Sequence, residues 1–539
     1  MSDLIAQVRA WIAEDPDPKT RAELEALVAK NDLATLNSCF AGFLEFGTAG
    51  LRGRVGPGPS RMNRAVVSKT AYGISQYMKK HGLTSIVIGR DARHGSQEFA
   101  QDTAEIMSGA GLKVYVLPRP LPTPVLAFAI RYLNCDVGIM VTASHNPPQD
   151  NGYKVYLGGV VAGIDYLGSQ IIAPTDGEIS REIAAAPPLN TLTRGMKWQV
   201  LDEEVIDEYV RVTARLAPRP RPLKIVYSAL HGVGAEVLCK VFEAAGFEVP
   251  ILVTAQAEPD PDFPTVAFPN PEEPGAIDLS IALAKEVSAE LVIANDPDAD
   301  RCAVAIEDNG WRMLRGDEVG ILLGEYLARS ALDNKGVLAN SIVSSSALRK
   351  IAAHYNLPFT ETLTGFKYLS KVKNLRFGYE EALGYAVDAN SVNDKDGISA
   401  ALVIAQLAAD LKSEGRSLRD LLEEIWKRIG FHGTSQISVK TESVTDVDKI
   451  MTKLRRDLPT AIAGFPVTSC DDLERPSDGL PPTNGVRIWL DGKYRVIIRP
   501  SGTEPKIKCY LEVITDSKEV ALPLLAKIEA EFRALMTVA

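Results

Sequence analysis

The sequence predicts an α/β protein in which three similar domains, each built on a mixed or parallel sheet, precede a small α+β domain around a central cleft. Strand-like and helix-like segments alternate in three successive stretches, a pattern typical of mostly parallel sheets. The chain has 539 residues, which is more than one hydrophobic core usually accommodates. After about residue 433 the pattern changes to strands with few helices, which predicts the fourth domain.

Four domains are predicted. The N-terminal arm and the first α/β domain span 1–215, the second α/β domain spans 216–315, the third spans 316–432 and the α+β domain spans 433–539. The arm reads as helical over 3–30, with a break at Asp15–Pro18. A proline-rich linker, 216–222, separates the first two domains. The third alternation runs from Gly336 to about Leu411.

Apolar runs bounded by turn residues predict the strands, and apolar residues at helical spacing predict the helices. In the first domain they predict strands 85–89, 113–117 and 136–141 and helices 97–107 and 124–132. In the second they predict strands 223–227, 247–252 and 290–294 and helices 234–245 and 276–287. In the last they predict strand-like segments 435–439 and 485–510 and helices 446–458 and 518–536.

Composition excludes several classes of function. The net charge is −10 with no basic arm, so we expect no nucleic-acid partner. No run of about 18 apolar residues predicts a membrane span, and the charged N-terminus does not resemble a signal peptide. The six cysteines are scattered without a Cys-x-x-Cys motif, which predicts free thiols in a reducing cytoplasm and no zinc site.

The segment Thr142–Pro148 directly follows the predicted strand 136–141. Open α/β sheets bind ligands where their strands end, so Ser144 is a candidate nucleophile. Because a serine hydroxyl needs a base, a metal or a prior modification, the adjacent His145 and the nearby Lys154 are candidate partners. A polar turn that merely ends the strand is the alternative.

Asp296, Asp298 and Asp300 alternate after the predicted strand 290–294. In an extended loop the three carboxylates point to one side, where they repel one another unless a cation lies between them. Their hard oxygens suit Mg²⁺. Glu307 stands where an EF-hand has its twelfth residue, but Arg301 replaces the required glycine. A solvated acidic turn without metal is the other alternative.

Arg499, Ser501, Gly502 and Thr503 lie between strand-like segments. A guanidinium, two hydroxyls and the N–H groups around a glycine are the groups that bind a phosphate dianion. The alternative is a tight turn with a surface arginine.

Further candidates follow other turns. Arg52 follows a glycine-rich turn, which leaves a side chain accessible, and Lys367 stands at a predicted helix start, where anions bind favourably. Glu380 and Glu381 carry carboxylates suited to sugar hydroxyls. The alternative for Arg52 is an ordinary hairpin turn, and the alternative for Lys367 is a solvated lysine. For Glu380 and Glu381 it is a salt-bridged sheet edge. Asp396 is interpreted as a helix N-cap.

Together, from about Phe46 to Lys506, these motifs resemble the α-D-phosphohexomutase superfamily. Thr142–Pro147 looks like its phosphoserine loop, Asp296–Arg301 like its magnesium loop, Gly378–Tyr385 like its sugar loop and Arg499–Pro505 like its phosphate loop. The arm and the segment 46–53 look most like the branch with phosphopentomutase-like enzymes. One departure is Ala382, where many members carry serine, and it puts the sugar preference in doubt.

The resemblance implies an isomerase that interconverts hexose 1-phosphate and hexose 6-phosphate, with glucose as the expected sugar. Ser144 would carry the phosphoryl group and complete a Mg²⁺ site with the three aspartates, and glucose 1,6-bisphosphate would be intermediate and activator. Lys154 would be the general base, with its pKa lowered, supported by Arg52, His145 and Lys367. The remaining implied residues bind substrate: Arg301, Thr364, Gly365, Glu380, Glu381, Arg499, Ser501, Gly502 and Thr503.

The small last domain would be the lid that closes on the sugar phosphate, and the protein would be a monomer or homodimer. Phosphomannomutase or phosphopentomutase specificity, glucose-1,6-bisphosphate synthesis and a serine phosphatase of sugar phosphates stay open as alternatives. A non-catalytic sugar-phosphate binding protein is a further alternative.

Overall fold

The computed structural model describes residues 2–47, 50–330, 335–441, 443–500 and 506–536. The chain divides into two units. The first is formed by Met1–Leu314 and Ala382–Glu414, and the second by Arg315–Glu381 and Gly415–Ala539.

The N-terminal arm consists of three helices, α1 (Ser2–Glu14), α2 (Pro18–Ala29) and α3 (Leu33–Cys39). Asp17 caps α2 by accepting a hydrogen bond from Lys19 N, and proline is favourable at the first helical position because its missing N–H is not needed there. The arm has a small core of its own, made of Val8, Leu24 and Leu36. The predicted helical arm and its break are confirmed.

The first sheet alternates with helices as predicted. Its elements are β1 (Leu51–Arg54), α4 (Arg64–Lys80), β2 (Ser85–Arg90), α5 (Ser96–Gly109), β3 (Lys113–Val116), α6 (Thr123–Tyr132), β4 (Val137–Val141), β5 (Asp150–Leu157), β6 (Val160–Val161), β7 (Ile164–Asp165), β8 (Ser169–Gln170), α7 (Thr175–Ala184), β9 (Gln199–Val200) and α8 (Glu204–Ala214). The strand order is β1-β5-β4-β2-β3-β9, with β8 beside β5. The central pairs β2–β3 and β2–β4 are parallel, and β5 is antiparallel to β4. All five residues of β4 are buried, so the strand before Ser144 crosses the core.

The second sheet also alternates with helices. The elements of this stretch are β10 (Ile225–Ser228), α9 (Gly234–Ala245), β11 (Ile251–Leu252), α10 (Thr254–Ala257), α11 (Asp278–Val287), β12 (Leu291–Asn295), β13 (Cys302–Glu307) and β14 (Trp311–Met313). Its order is β11-β10-β12-β13-β14. The strands β11, β10 and β12 are parallel, whereas β12 and β13 form an antiparallel hairpin. Asn295 pairs with Cys302 in that hairpin, so residues 296–301 form its connecting loop.

The second unit begins with α12 (Gly316–Arg329), β15 (Val337–Ser341), α13 (Ala347–His354), β16 (Phe359–Thr362), α14 (Phe366–Leu369) and β17 (Leu375–Glu380). The strands β16, β15 and β17 are parallel neighbours. This agrees with the third predicted alternation of strands and helices.

The chain then returns to the first unit with β18 (Gly384–Ala386) and α15 (Gly397–Ser413). The helix α15 packs against α8, α9, β12 and β13. Helical periodicity predicts such a helix but not which sheet it covers. Asp396 is the N-cap of α15 and accepts hydrogen bonds from Ile398 N and Ser399 N, which confirms its interpretation.

Asp396 gives a testable pH dependence of stability. Burial raises the pKa of its carboxyl from 3.8 to about 6, although hydrogen bonds from Ser399, Tyr209 and Ile398 act in the opposite direction. Its contribution to stability is therefore fully present below pH 3.8 and is lost as the pH rises through about 6. Asp396→Asn keeps the cap but not the titration. From pH 4 to pH 8 we expect its free energy of unfolding, relative to the wild type, to increase by roughly 2–3 kcal/mol. Urea unfolding measures this, and a constant difference would contradict it.

The last stretch returns to the second unit and is largely antiparallel. Its elements are α16 (Leu418–Ile429), β19 (Phe431–Lys440), α17 (Val444–Arg456), β20 (Ala461–Ile462), β21 (Phe465–Asp472), β22 (Val486–Leu490), β23 (Tyr494–Pro500), β24 (Lys506–Thr515) and α18 (Lys518–Leu535). The sheet order is β19-β24-β23-β22-β21-β20. The helices α17 and α18 contribute to the core of this sheet, as expected for an α+β domain. Among the helices of the described ranges, none combines the length and apolar character needed to cross a bilayer.

Candidate active site

Ser144 lies in the loop that joins the antiparallel strands β4 and β5, just past the pair Val141–Tyr153. Its backbone has a φ of +53°, a left-handed conformation that is uncommon outside glycine. The side chain is buried, with 3% of its surface exposed. Its hydroxyl donates a hydrogen bond of 2.6 Å to Asp296 Oδ2 and lies 3.2 Å from His145 Nδ1. The predicted nucleophile therefore faces a carboxylate and an imidazole.

The aspartate loop is the connection between β12 and β13. One carboxylate oxygen from each of Asp296, Asp298 and Asp300 lies within 4.8 Å of the others, and all three side chains are buried. Residue Ala299 has a φ of +54°, and its N–H donates to Asp296 O at 2.8 Å. The alternation along the sequence thus brings the three carboxylates together, as predicted.

Two lysines neutralise this cluster. Lys154 Nζ lies 2.6 Å from Asp298 Oδ2 and 2.7 Å from Asp300 Oδ2, and Lys395 Nζ lies 2.9 Å from Asp300 Oδ2. Burial alone would lower the pKa of Lys154, but the charges of Asp298 and Asp300 outweigh it and raise that pKa. The prediction of a lowered lysine pKa is therefore wrong for this arrangement. The reason is that its neighbours here are carboxylates, not cations.

The pKa values of the carboxylates in this cluster shift in opposite directions. Burial and the charges of Asp298 and Asp300 raise the pKa of Asp296 well above its usual range. Burial also acts to raise the pKa of Asp300, but Lys154 and Lys395 outweigh it and lower that pKa. Asp296 thus carries the least compensated charge, and it is the carboxylate that accepts the Ser144 hydrogen bond.

The cluster fits a divalent cation. Asp298 Oδ1 and Asp300 Oδ1 are buried and have no hydrogen-bond partner among the described residues. Buried polar atoms are nearly always satisfied, and an unpaired carboxylate oxygen costs more than a neutral one. Carboxylate oxygens are hard donors of the kind that divalent cations such as Mg²⁺ bind. Asp296, Asp298 and Asp300, together with Ser144, are therefore the residues that could hold it.

Three further predicted residues lie around the serine loop or the aspartate loop. Arg52 Nη1 donates to Asn146 Oδ1 at 3.3 Å, and Arg301 N donates to Asp296 Oδ1 at 3.0 Å. Burial, together with the charges of Arg301 and Arg52, lowers the pKa of His145 well below 6.5, so this imidazole is neutral near pH 7. The structure thus brings Arg52, His145 and Arg301 to the same site as Ser144.

Within the second unit, four predicted residues lie between β16 and β17 or at their ends. Gly365 has a φ of +118°, and its N–H donates to Glu380 Oε1 at 2.6 Å. Thr364 Oγ1 is buried without a hydrogen-bond partner among the described residues. Lys367 stands in the first turn of α14, as predicted, with Nζ 5.2 Å from the Tyr368 ring centre. Of these groups, the Thr364 hydroxyl is the one that lacks a hydrogen-bond partner among the described residues, whereas the Gly365 N–H is already bound to Glu380.

Glu381 is a partly buried acid. Its Oε2 accepts hydrogen bonds from Ser341 Oγ at 3.3 Å and Ser344 Oγ at 3.2 Å. Burial, with the charges of Glu380 and Asp317, raises its pKa to about 7. At neutral pH this carboxyl group can therefore both donate and accept a hydrogen bond.

Arg499 lies near the end of β23, paired across the sheet with Lys508 of β24. It is half-buried, and its charge acts on the neighbouring Tyr510 hydroxyl. The other predicted members of this phosphate loop, Ser501, Gly502 and Thr503, lie outside the described residues. The meeting of all four loops in one cleft stays a prediction.

Sequence reasoning missed two side chains of the aspartate cluster. Lys395 directly precedes the predicted N-cap Asp396 and belongs to no motif of its own. Thr123, whose Oγ1 donates to Asp298 Oδ2 at 2.6 Å, is the first residue of α6 and belongs to no motif. Both contacts join residues far apart in sequence, so no local pattern signals them.

Four family models match successive parts of the chain. All are described as phosphoglucomutase/phosphomannomutase domains: alpha/beta/alpha domains I, II and III over 44–181, 206–310 and 315–429, and the C-terminal domain over 440–524. The matches span both units and include the serine loop, the aspartate loop and Arg499.

Relatives of similar length are similar to most of the chain. A probable phosphomannomutase of Haemophilus influenzae is 48% identical over 484 residues, covering 88% of this chain and 98% of the relative. A phosphoglucomutase of Staphylococcus haemolyticus is 37% identical, covering 88% and 91%. A human phosphopentomutase is 35% identical, covering 93% and 90%. The three names agree on the reaction type and differ in the sugar.

Proposed function

Because this chain belongs to the phosphoglucomutase/phosphomannomutase family of isomerases, we propose that it interconverts hexose 1-phosphate and hexose 6-phosphate through a phosphoserine at Ser144. The observation that carries the proposal is the hydrogen bond of 2.6 Å between Ser144 Oγ and Asp296 Oδ2. It places the hydroxyl that lends and reclaims the phosphoryl group against the buried carboxylate cluster.

The reaction consists of two phosphoryl transfers. In the first, the bond between Ser144 Oγ and phosphorus breaks while a sugar hydroxyl oxygen bonds to phosphorus, giving a bisphosphate. The hydroxyl proton goes to Lys154 Nζ and from there to Ser144 Oγ. In the second, the bisphosphate, held in the opposite orientation, transfers its other phosphoryl group to Ser144 Oγ. The bond between phosphorus and the sugar oxygen breaks, the Ser144 proton passes through Lys154 Nζ to that oxygen, and the isomer leaves. Positioning and charge stabilisation, rather than covalent chemistry by the protein, dominate such transfers.

The charged side chains prepare the site for a dianion. A bound divalent cation would supply the charge that neutralises the transferring phosphoryl group. Asp298 and Asp300 raise the pKa of Lys154 in this arrangement. A divalent cation held by these carboxylates would weaken their influence, and burial would then favour the neutral amine that a general base requires. His145 and Arg52 stay beside the serine loop as donors to the phosphoryl oxygens.

We propose glucose as the preferred sugar, with Glu380 and Glu381 as the residues that bind its hydroxyls. The relatives named for mannose and pentose phosphates make those sugars the direct competitors. Ala382 bears on this choice because a methyl group cannot donate the hydrogen bond of a serine hydroxyl.

The test is a side-by-side assay of glucose 1-phosphate, mannose 1-phosphate and ribose 1-phosphate, with and without catalytic glucose 1,6-bisphosphate and Mg²⁺. We expect isomerisation that depends on both additions and the highest kcat/KM for glucose 1-phosphate. Higher kcat/KM for mannose or ribose phosphate would reassign the sugar but not the reaction. Steady release of inorganic phosphate without isomer would contradict the mutase proposal and identify a phosphatase. Tight binding of sugar phosphates without turnover would identify a binding protein.

Arg499 provides a separate prediction for substrate binding. If its guanidinium holds the phosphate that does not react, Arg499→Ala raises KM roughly 10- to 100-fold, because hydrogen bonds to charged groups contribute about 1.5–3 kcal/mol. We expect kcat to change much less. The matched control is Arg419→Ala, which removes an exposed arginine that pairs with Glu423 on α16. A loss of thermal stability with unchanged KM would assign Arg499 to the sheet alone.

A further inference from the structure

A buried arginine, Arg93, donates to the backbone of the serine loop. Its Nη2 lies 2.6 Å from the carbonyl oxygens of Ser144 and Asn146. Its Nη1 lies 2.8 Å from the carbonyl oxygen of Pro147 and 3.1 Å from that of Asp150. Only 4% of Arg93 is exposed. One guanidinium therefore binds four backbone carbonyls of a single loop.

The Arg93 side chain is itself contacted by Asp91 and by the ring of Phe263. The side-chain Nε of Arg93 lies 3.4 Å from Asp91 Oδ2, an ion-pair contact without a hydrogen bond, and the backbone N of Arg93 donates to Asp91 Oδ1 at 3.0 Å. Ser96 Oγ donates to the same Oδ1 at 2.6 Å. The guanidinium carbon lies 4.9 Å from the centre of the Phe263 ring, a cation–π distance. Little freedom is left for the arginine to move.

The serine loop needs such support. Ser144 keeps a positive φ, and a non-glycine residue in that region costs of order 1–3 kcal/mol. Buried carbonyl groups also need donors. A guanidinium offers five N–H donors in a planar fork, whereas a lysine ammonium offers three without that geometry. Arg93 thus supplies both the donors and the fixed directions that this loop uses.

We propose that Arg93 is a positioning residue that fixes Ser144 Oγ against Asp296, and the proposal rests on the phosphoserine function of Ser144. Arg93 acts through the backbone of residues 144–150 and not on the sugar phosphate. A displacement of about 1 Å at a reacting group can lower the rate roughly 10²-fold. Loss of the fork therefore lowers the rate of phosphoryl transfer more than substrate affinity.

The variant Arg93→Lys keeps the charge and removes the fork. We expect kcat to fall roughly 10²-fold with KM within about threefold of the wild type. The matched control is Arg64→Lys, which removes a similar fork between Arg64 and the buried Asp102, away from the serine loop. That control should lose thermal stability and keep kcat. If Arg93→Lys and Arg64→Lys lose the same stability and both keep kcat, Arg93 is structural only and the proposal is overturned.

A second variant covers the case in which Arg93→Lys does not fold. Asp91→Asn keeps the hydrogen-bonding oxygen but removes the charge behind the guanidinium. We expect a smaller fall in kcat, of about 3- to 10-fold, again with unchanged KM. An unchanged kcat in folded Asp91→Asn would count against the proposal.

Two further measurements separate this inference from the proposed function. Guanidinium ion added to Arg93→Ala should restore part of kcat, and no restoration would favour a structural role. In phosphorylated wild type and Arg93→Lys, ³¹P NMR should show different phosphoserine signals if the loop moves.

If Ser144→Ala retains turnover, the phosphoserine function fails. If Ser144 is essential but Arg93→Lys has the wild-type kcat, only the role of Arg93 fails.

Discussion

Ser144→Ala should abolish isomerisation, with a loss of roughly 10³-fold or more, while the fold is retained. In the proposed mechanism the hydroxyl oxygen forms and breaks the bond to phosphorus, and among the described residues no other hydroxyl donates to Asp296 Oδ2. Losing this hydrogen bond leaves the buried Asp296 Oδ2 without its serine donor, although Arg301 N still donates to Oδ1, and it costs about 1–3 kcal/mol of stability. Steady-state kinetics measure the first effect, and thermal unfolding measures the second.

The matched control is Ser75→Ala. Ser75 is a buried serine of α4 that donates to Tyr72 O at 2.7 Å and does not contact the serine loop. The variant Ser75→Ala should therefore keep the kcat and KM of the wild type. After incubation with glucose 1,6-bisphosphate, intact-mass measurement should detect one phosphoryl group on the wild type and on Ser75→Ala but none on Ser144→Ala. Turnover by Ser144→Ala, or its phosphorylation at another residue, would remove Ser144 from the mechanism.

Asp298→Asn should have the next largest effect, a fall in kcat of roughly 10²-fold or more, because it removes one of the three carboxylate charges that would hold the proposed cation. Asp298 Oδ1 is buried without a partner among the described residues, and Oδ2 receives both Lys154 and Thr123. The amide keeps the volume but weakens cation binding. Activity titrated against Mg²⁺ should therefore need a higher concentration for half-saturation.

Thermal unfolding gives a readout that does not depend on activity. A ligand that binds only the folded state stabilises it by an amount that grows with its concentration over Kd. We expect Mg²⁺ to raise the melting temperature of the wild type and to have a much smaller effect on Asp298→Asn. The control Asp136→Asn changes a carboxylate that accepts from Thr84 N and Ser85 N at the start of β4, and it should keep the Mg²⁺ shift. Equal shifts in all three proteins would place the cation elsewhere.

Sequence reasoning succeeded where chemistry depends on neighbours along the chain. The alternation of Asp296, Asp298 and Asp300 predicts one cluster, and the short hairpin loop between β12 and β13 produces it. The position of Ser144 follows in the same way from the buried strand before it. Family resemblance then predicted the superfamily and its domains, and the four family models confirm that the corresponding domains follow one another along the chain.

Sequence reasoning failed where the partner comes from a distant segment. The raised pKa of Lys154 depends on two carboxylates more than 140 residues away. Lys395 reaches Asp300 only because its loop packs on the hairpin, as shown by the contact of Gly397 N with Ala299 O at 3.1 Å. Likewise, the sequence predicts α15 as a helix but contains no signal for the sheet that it covers.

The return of residues 382–414 to the first unit has a consequence for synthesis on the ribosome. Neither unit is continuous along the chain, so the first cannot complete its core when Leu314 emerges. Until α15 is made, the faces of α8, α9 and β12 that it covers stay exposed to water. A fragment truncated at Leu314 would lack α15 and would carry that uncovered surface permanently. The nascent chain can bury this surface only about 100 residues later.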